Sequence, residues 1–283
     1  MPSAPAEGRL FVVGTPIGNL ADLTERARRV LAEAQVIAAE DTRRARNLLS
    51  HLGVSGKPLV RLDAHASEAE IERLADRVVA GESVALVTDA GTPAVSDPGS
   101  SLVRAVAARG GAVEAIPGAS AVVAAVSVSG FAATAFRFVG FLPRAHKERL
   151  EALAKLADDP DIIVFFEAPQ RMAETLEELA RVMPERDVLV ARELTKLHEE
   201  LLRGTAAALF RAEGSREWIG ELTVVLGPYE GRAPAAVDDA SLDARIDALL
   251  AEGRRAKEVA EIVSLELGLP KRTVYERVID RKK

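Results

Sequence analysis

The chain has 283 residues, 48% of them apolar and 28% charged, with a formal net charge of −6. That is enough to bury one large core or two. It has no cysteine and four histidines (His51, His65, His146 and His198) in no metal-ligand spacing, so disulfides are excluded and no metal ion is expected. The acidic balance argues against a whole-surface footprint for nucleic acid but leaves room for a local basic patch.

The N-terminal "MPSAPAEGRLFVVG" lacks a basic region followed by an apolar core, so it does not read as a signal peptide. A cytoplasmic setting is the simplest expectation. "RLFVVGTPIG" reads as a buried parallel strand ending in a turn. "DLTERARRVLAEA" is an amphipathic helix behind the caps Asp22 and Thr24. "QVIAAEDT" is a strand ending in acids, followed by the basic helix "RRARNLLSHLG" and a connection containing "PLVRLDAHASE". "EIERLADRVVAGE" is a helix closed by Gly81, "SVALVTDAG" a strand, "SSLVRAVAARGG" a helix, "AVEAIPG" a strand and "SAVVAAVSVSG" a helix of small residues. Residues 115–136 are uncharged, but Pro117 and the small residues argue against a membrane span. Alternating strands and helices predict an α/β domain over residues 1–135 with a mainly parallel sheet.

A charged helix within "FLPRAHKERLEALAKLADDPD" then changes the pattern. The strands "DIIVFFEAP", "DVLVARELT", "EELLRG" and "EWIGELTVVLGP" alternate with the helices "RMAETLEELARVM" and "TAAALFRAEG". Several tight links predict a second α/β domain with a mixed sheet over residues 136–230. Residues 231–283 read as a linker followed by three helices, divided at Gly253 and at "GLP" 268–270, with helix-turn-helix spacing.

Four strand exits stand out: "VGTPIGNLADLT", "AAEDTRRAR", "VTDAGTPAVSDPG" and "AIPGASA". In an open α/β sheet, ligands collect at such carboxyl ends. Gly14 and Gly18 would permit close backbone approach to a ligand, but no dinucleotide or phosphate-loop fingerprint is present. The exits carry Glu40, Asp41, Asp89 and Asp97. Carboxylates suit a cation or hydroxyl and amine donors rather than phosphate. S-adenosylmethionine, with a sulfonium, an ammonium and ribose hydroxyls, fits that description. Helix capping is the competing explanation for Asp97, and also for Asp41 at the start of "AEDTRRAR".

The ordered set "GTPIGNLADLT", "AEDTR", "DAGTPAVSDPG", "IPGAS", "FEAPQR" and "RELTKLHEE" resembles the tetrapyrrole-methylase-fold S-adenosylmethionine methyltransferases over about residues 9–228. More narrowly it is similar to their ribosomal branch, which methylates the ribose 2′-hydroxyl of a cytidine in the decoding region of 16S rRNA in the small ribosomal subunit. The resemblance implies two α/β domains with S-adenosylmethionine in the cleft between them, commonly in a homodimer. It implies that Pro16 lines the site and that Asp89, Ala90, Gly91 and Thr92 contact the methionine and ribose portions. Ser120 and Ala121 follow, with Phe166, Ala191, Leu222 and Thr223 around the adenine. The chain departs from the family twice: "DAHASE" keeps only His65 of a His-rich stretch, and "EAPQR" has Gln170 where the family often has His.

Methyl transfer to a hydroxyl needs alignment and a positioned base or a charge that stabilises the developing alkoxide. Asp41 and Glu40 are candidate bases. Arg43, Lys196 and Arg171 are candidates to hold RNA phosphate or the oxyanion, and Glu193 and Glu167 are expected as structural partners of nearby arginines. The basic residues of the tail suggest docking to RNA. Two other functions compete: C-methylation of a tetrapyrrole, and a non-catalytic binding module.

Overall fold

The first five apolar runs become the strands β1 (Arg9–Val13), β2 (Val36–Ala39), β3 (Leu59–Arg61), β4 (Val84–Val87) and β5 (Ala112–Ile116). They form one sheet in the order β3-β2-β4-β1-β5, parallel throughout. β2 and β4 are buried at every position, as strands covered on both faces must be. Helices α1 (Glu25–Glu33) and α2 (Thr42–His51) cover one face through Val30, Leu31 and Leu49. Helices α3 (Glu68–Val79) and α4 (Ser100–Ala108) cover the other through Leu74, Val78, Leu102 and Val106. Local chemistry sets the helix starts. Thr24 caps α1 by accepting from the Ala27 amide, and Ser67 and Glu70 close a capping box on α3.

The description, from a computed structural model, covers residues 8–95, 99–132, 134–229, 239–267 and 271–281. Asp97, most of the expected linker and "GLP" lie outside the described residues. After β5, helix α5 (Ala121–Ser129) leads to a second sheet of β6 (Phe136–Phe141), β7 (Ile162–Glu167), β8 (Asp187–Arg192), β9 (Glu200–Thr205) and β10 (Leu222–Leu226). Its order is β6-β7-β10-β8-β9, with only β6 and β7 parallel. Helices α6 (His146–Leu156), α7 (Pro169–Val182) and α8 (Ala206–Glu213) pack on one face around Phe165, Met172 and Leu176. The other face takes α5 through Val122 and Ala125, together with Ile17 from the loop after β1. The small-residue helix therefore lies on the second sheet rather than the first. Arg149, 1% exposed, locks α6 to α7 with a bidentate bond to Glu178 (2.5 and 2.8 Å) and a further pair to Glu174. Breaking such a pair costs about 3–5 kcal/mol.

Two strands lie where the sequence reading placed none. β3 is three residues long, too short to show a period. β6 carries Gly140 and a register shift that breaks the alternation. Conversely, the expected strand at "EWIGELTVVLGP" begins only at Leu222.

Residues 1–228 form one compact unit, and residues 229–283 a second one. The second contains α9 (Asp239–Ala251), α10 (Ala256–Leu267) and α11 (Lys271–Arg281) around Ile246, Val259, Val263, Val274 and Val278. Arg277 and Arg281 of α11 pair with Asp243 and Asp247 of α9. Among the described residues, no helix is long and apolar enough to cross a membrane.

Gly14 is where the first sheet tolerates least change. A Cβ there would lie 2.7 Å from the Cα and N of Gly118, and backbone cannot swing aside as a side chain can. Gly14→Ala is expected to cost about 2 kcal/mol, read as a lower urea midpoint with an unchanged slope.

Candidate active site

The carboxyl ends of β2, β4, β1 and β5 are stitched together by their own loops. Thr15 and Gly91 form an isolated antiparallel bridge, with amide-to-carbonyl distances of 2.8 and 3.2 Å. The Thr15 hydroxyl donates to the carbonyls of Thr88 and Gly91, and the Thr92 hydroxyl donates to that of Ala119. The Thr88 hydroxyl donates to Glu40 at 2.7 Å, and the Asp41 amide donates to Asp89 Oδ1 at 3.1 Å. Gly14 meets the backbone of Gly118, and Gly18 lies against the side chain of Lys196. The glycines expected to admit a ligand thus admit neighbouring protein instead.

These loops and the second sheet enclose a cavity of about 370 Å³, within the usual range for small-molecule sites. Ala90, Gly91, Thr92, Ser120, Ala121, Phe166, Ala191, Leu222 and Thr223 all line it. Of the residues expected at the cofactor, Pro16 and Asp89 do not line the wall, which their neighbours Ile17 and Ala90 form instead. The sequence reading missed Val95, Phe141, Leu194, Gly220 and Glu221 as lining residues, and took Glu167 as structural. Glu221 and Gly220 directly precede the expected Leu222, so proximity in sequence was the available signal. Ser120 is the N-cap of α5, yet its hydroxyl makes no capping bond.

The residues expected to do chemistry lie outside this wall. Asp41 caps α2, accepting from the Arg43 amide at 2.8 Å and from its guanidinium at 2.7 and 3.1 Å. Those bonds hold its carboxyl far below the usual range. Capping accounts for Asp41, and a carboxylate held so firmly anionic is a weak proton acceptor. Arg43 is 84% exposed despite that pair. Lys196 bonds Glu193 at 2.7 Å and Glu221 at 3.0 Å. Burial alone would lower its ammonium, but the two carboxylates outweigh burial and raise it. Glu193 also accepts from the Glu221 amide, so its partner is a lysine rather than the expected arginine. Glu167 does pair with Arg171, at 2.5 Å, and accepts from the Thr175 hydroxyl. His65 is exposed in the turn after β3, and Gln170 is exposed in the first turn of α7. Glu193 and Thr195 have φ of +52° and +68°, unusual for residues with side chains. Elsewhere, His146, Glu174 and Glu178 bring ligand-type atoms within 4.8 Å of one another, but Arg149 already pairs with both carboxylates.

Asp89 is in the opposite situation to Asp41. It is 28% exposed, with Arg44 3.4 Å away. Burial, then the nearby Glu40 charge, push its carboxyl above the usual value. The signs oppose: Asp41 adds stability above the unfolded value of 3.8 that is lost as pH falls through its lowered native value. The raised Asp89 binds its proton more tightly when folded, so it subtracts stability once pH rises past its native value. Asp89→Asn retains an acceptor for the Asp41 amide and removes the opposed charge. We expect its melting temperature at pH 7 to rise by about 2 °C. A fall would show that the Arg44 pair outweighs burial.

Residues 9–209 match the family described as Tetrapyrrole (Corrin/Porphyrin) Methylases. A protein of Xylella fastidiosa named ribosomal RNA small subunit methyltransferase I is 42% identical over 95% of this chain and 98% of its own length. One of the same name from Thermotoga maritima is 43% identical over 79% of this chain and all of its own, so about a fifth of this chain has no counterpart there. Among solved structures, a cobalt precorrin-4 methyltransferase superposes with a TM-score of 0.56 at 19% identity, covering 80% of this chain and 98% of that one. A uroporphyrin III C-methyltransferase from Thermus thermophilus gives 0.54 at 24%, covering 78% and 97%. At those identities the solved structures establish the fold alone. The fold, the family match and the full-length relatives agree: the chain belongs to the tetrapyrrole methylases and, within them, to the family of ribosomal RNA small subunit methyltransferase I.

Proposed function

We propose that the protein methylates 16S rRNA, using S-adenosylmethionine to modify the ribose 2′-hydroxyl of a cytidine in the decoding region of the small ribosomal subunit. The observation that carries the cofactor assignment is the charge of the cavity wall. Among the described residues it includes no lysine, arginine or histidine, and its two acids are already matched by cations outside the wall, Glu167 by Arg171 and Glu221 by Lys196. A phosphate-bearing cofactor would want cations or a Gly-rich anion cradle there, whereas a cationic nucleoside without phosphate suits apolar walls with a few acceptors. The residues present therefore fit S-adenosylmethionine. When bound, it supplies a methyl group on a positively charged sulfur.

Phe166, Ala191 and Leu222 offer a flat apolar seat for a purine with the Thr223 hydroxyl at its polar edge, and Ala90, Gly91 and Thr92 suit the methionine and ribose portions. Ser120, with its hydroxyl free of the cap, and the first amides of α5 suit a carboxylate. Pro16 and Asp89 support the wall from behind, through Ile17 and Ala90. Lys196, fixed by Glu193 and Glu221, and the outward Arg43 are read as the holders of RNA phosphate, which their charge and exposure support.

The ribosomal substrate is supported by relatives matched along almost their whole length. Tetrapyrrole methylation has only distant fold neighbours behind it. The reading includes a homodimer in the cytoplasm, supported by the family resemblance. The tail is read as an accessory for docking, supported by the basic residues of its helices.

The test offers labelled S-adenosylmethionine to the protein with assembled small subunits or with uroporphyrinogen. Label in a cytidine ribose of 16S rRNA is expected, with none in the tetrapyrrole; the chain ended at residue 228 should label subunits more weakly at low concentration. Label in the tetrapyrrole alone would overturn the reading.

A further inference from the structure

A second hollow, of about 470 Å³, lies between β6 and α6 and is lined by Arg137, Phe141, Glu148, Glu151 and Lys155 among others. Phe141 is the wall that it shares with the cofactor cavity. That ring is 59% exposed, which is unusual for a large aromatic fixed beside a small-molecule site.

Its position is built into the strand. Phe138 pairs with Val164 and Phe141 with Phe166, so three steps along β6 oppose two along β7. The extra residue sits by Gly140, at φ +72°. Strict alternation would send Phe141 to the face opposite Phe138. The bulge instead brings both rings edge-on to Phe166, at 4.9 and 5.6 Å between centroids. Bulges beside active sites commonly re-aim a side chain in this way.

Across the hollow, α6 presents Glu148, Ala152 and Lys155, one to two turns apart on a single face. The helix cannot drift, because Arg149 clamps it to α7. Arg137 is held by Asp159, and Glu151 has Lys147 at 4.0 Å. Among the described residues, Glu148 and Lys155 have no ion-pair or hydrogen-bond partner. One acceptor and one donor, both free, thus face an exposed aromatic ring.

We propose that this hollow receives the base of the target nucleotide. Phe141 is its stacking face, Glu148 accepts from the exocyclic amine of cytosine, and Lys155 donates to its ring carbonyl. The inference rests on the RNA reading above and deepens it. An unstacked base recognised on an aromatic ring and by its polar edge is the general mode for sequence-specific RNA binding, and a carboxylate is the natural acceptor for the cytosine amine. A base seated there carries its ribose to the edge of Phe141, at the mouth of the cofactor cavity.

The experiment has two parts. An oligoribonucleotide containing 5-iodocytidine is bound to the full chain and irradiated; crosslinks within residues 137–156 are expected, and crosslinks confined to other segments would overturn the proposal. In parallel, Phe141→Leu keeps apolar bulk without the aromatic face. It should raise the KM for small subunits about tenfold, and Phe141→Trp should restore the KM. An unchanged KM would overturn it. Glu148→Ala should lower the preference for cytidine over uridine oligonucleotides about tenfold, and an unchanged preference would remove the assignment to cytosine. Wild-type protein that transfers no methyl to subunits would sink the RNA reading, while the crosslink still decides whether a base occupies the hollow.

Discussion

The site depends on a backbone contact with no side chain in it. Gly14, leaving β1, lies so close to Gly118, leaving β5, that neither position has room for a Cβ. One residue further on, Thr15 bridges to Gly91 after β4. These contacts draw three strand exits into one rigid floor, and Ile17 then carries that floor onto the second sheet. Displacing any one exit would shift Ala90, Gly91, Thr92 and Ser120 together, because they are borne on the same stitched loops. Rigidity of this kind is what methyl transfer asks of a protein, since alignment supplies much of its acceleration.

Charge is sorted around that floor. The acids of the strand exits are taken up by the scaffold: Glu40 by the Thr88 hydroxyl, Asp89 by the Asp41 amide, Asp41 by Arg43. They brace the loops, and their partner arginines Arg43 and Arg44 remain well exposed. The acids that border the cavity come from the second sheet and its links: Glu221, paired with Lys196, and Glu167, whose buried carboxylate is taken up by Arg171 and Thr175. In residues 87–95 of the acidic loop "VTDAGTPAVSDPG", Ala90, Gly91, Thr92 and Val95 therefore line the cavity, while the Asp89 carboxylate holds the neighbouring strand exit.

Much of this was legible in the sequence, for physical reasons. Buried parallel strands read as unbroken apolar runs, so β1, β2, β4 and β7 were evident, and Thr24 announced its helix through capping chemistry. β6 was not, because the bulge at Gly140 that aims Phe141 also erases the period of two by which strands are recognised. The cavity wall was legible where family motifs mark it, from Ala90 to Thr92 and at Leu222–Thr223. It was not legible at Ile17, Leu194 or Phe141, which reach the wall through tertiary packing. Asp41 shows a further limit: a helix cap and a catalytic carboxylate share one sequence pattern, and the cap is the role that its hydrogen bonds to Arg43 show.

Cofactor class is the claim on which the rest turns. Titration calorimetry on the folded chain, with S-adenosylmethionine and a nicotinamide dinucleotide in separate cells, tests it most directly. The wall, which among the described residues carries no cation, predicts saturable heat with S-adenosylmethionine and none with the dinucleotide. Heat with the dinucleotide and none with S-adenosylmethionine would contradict it.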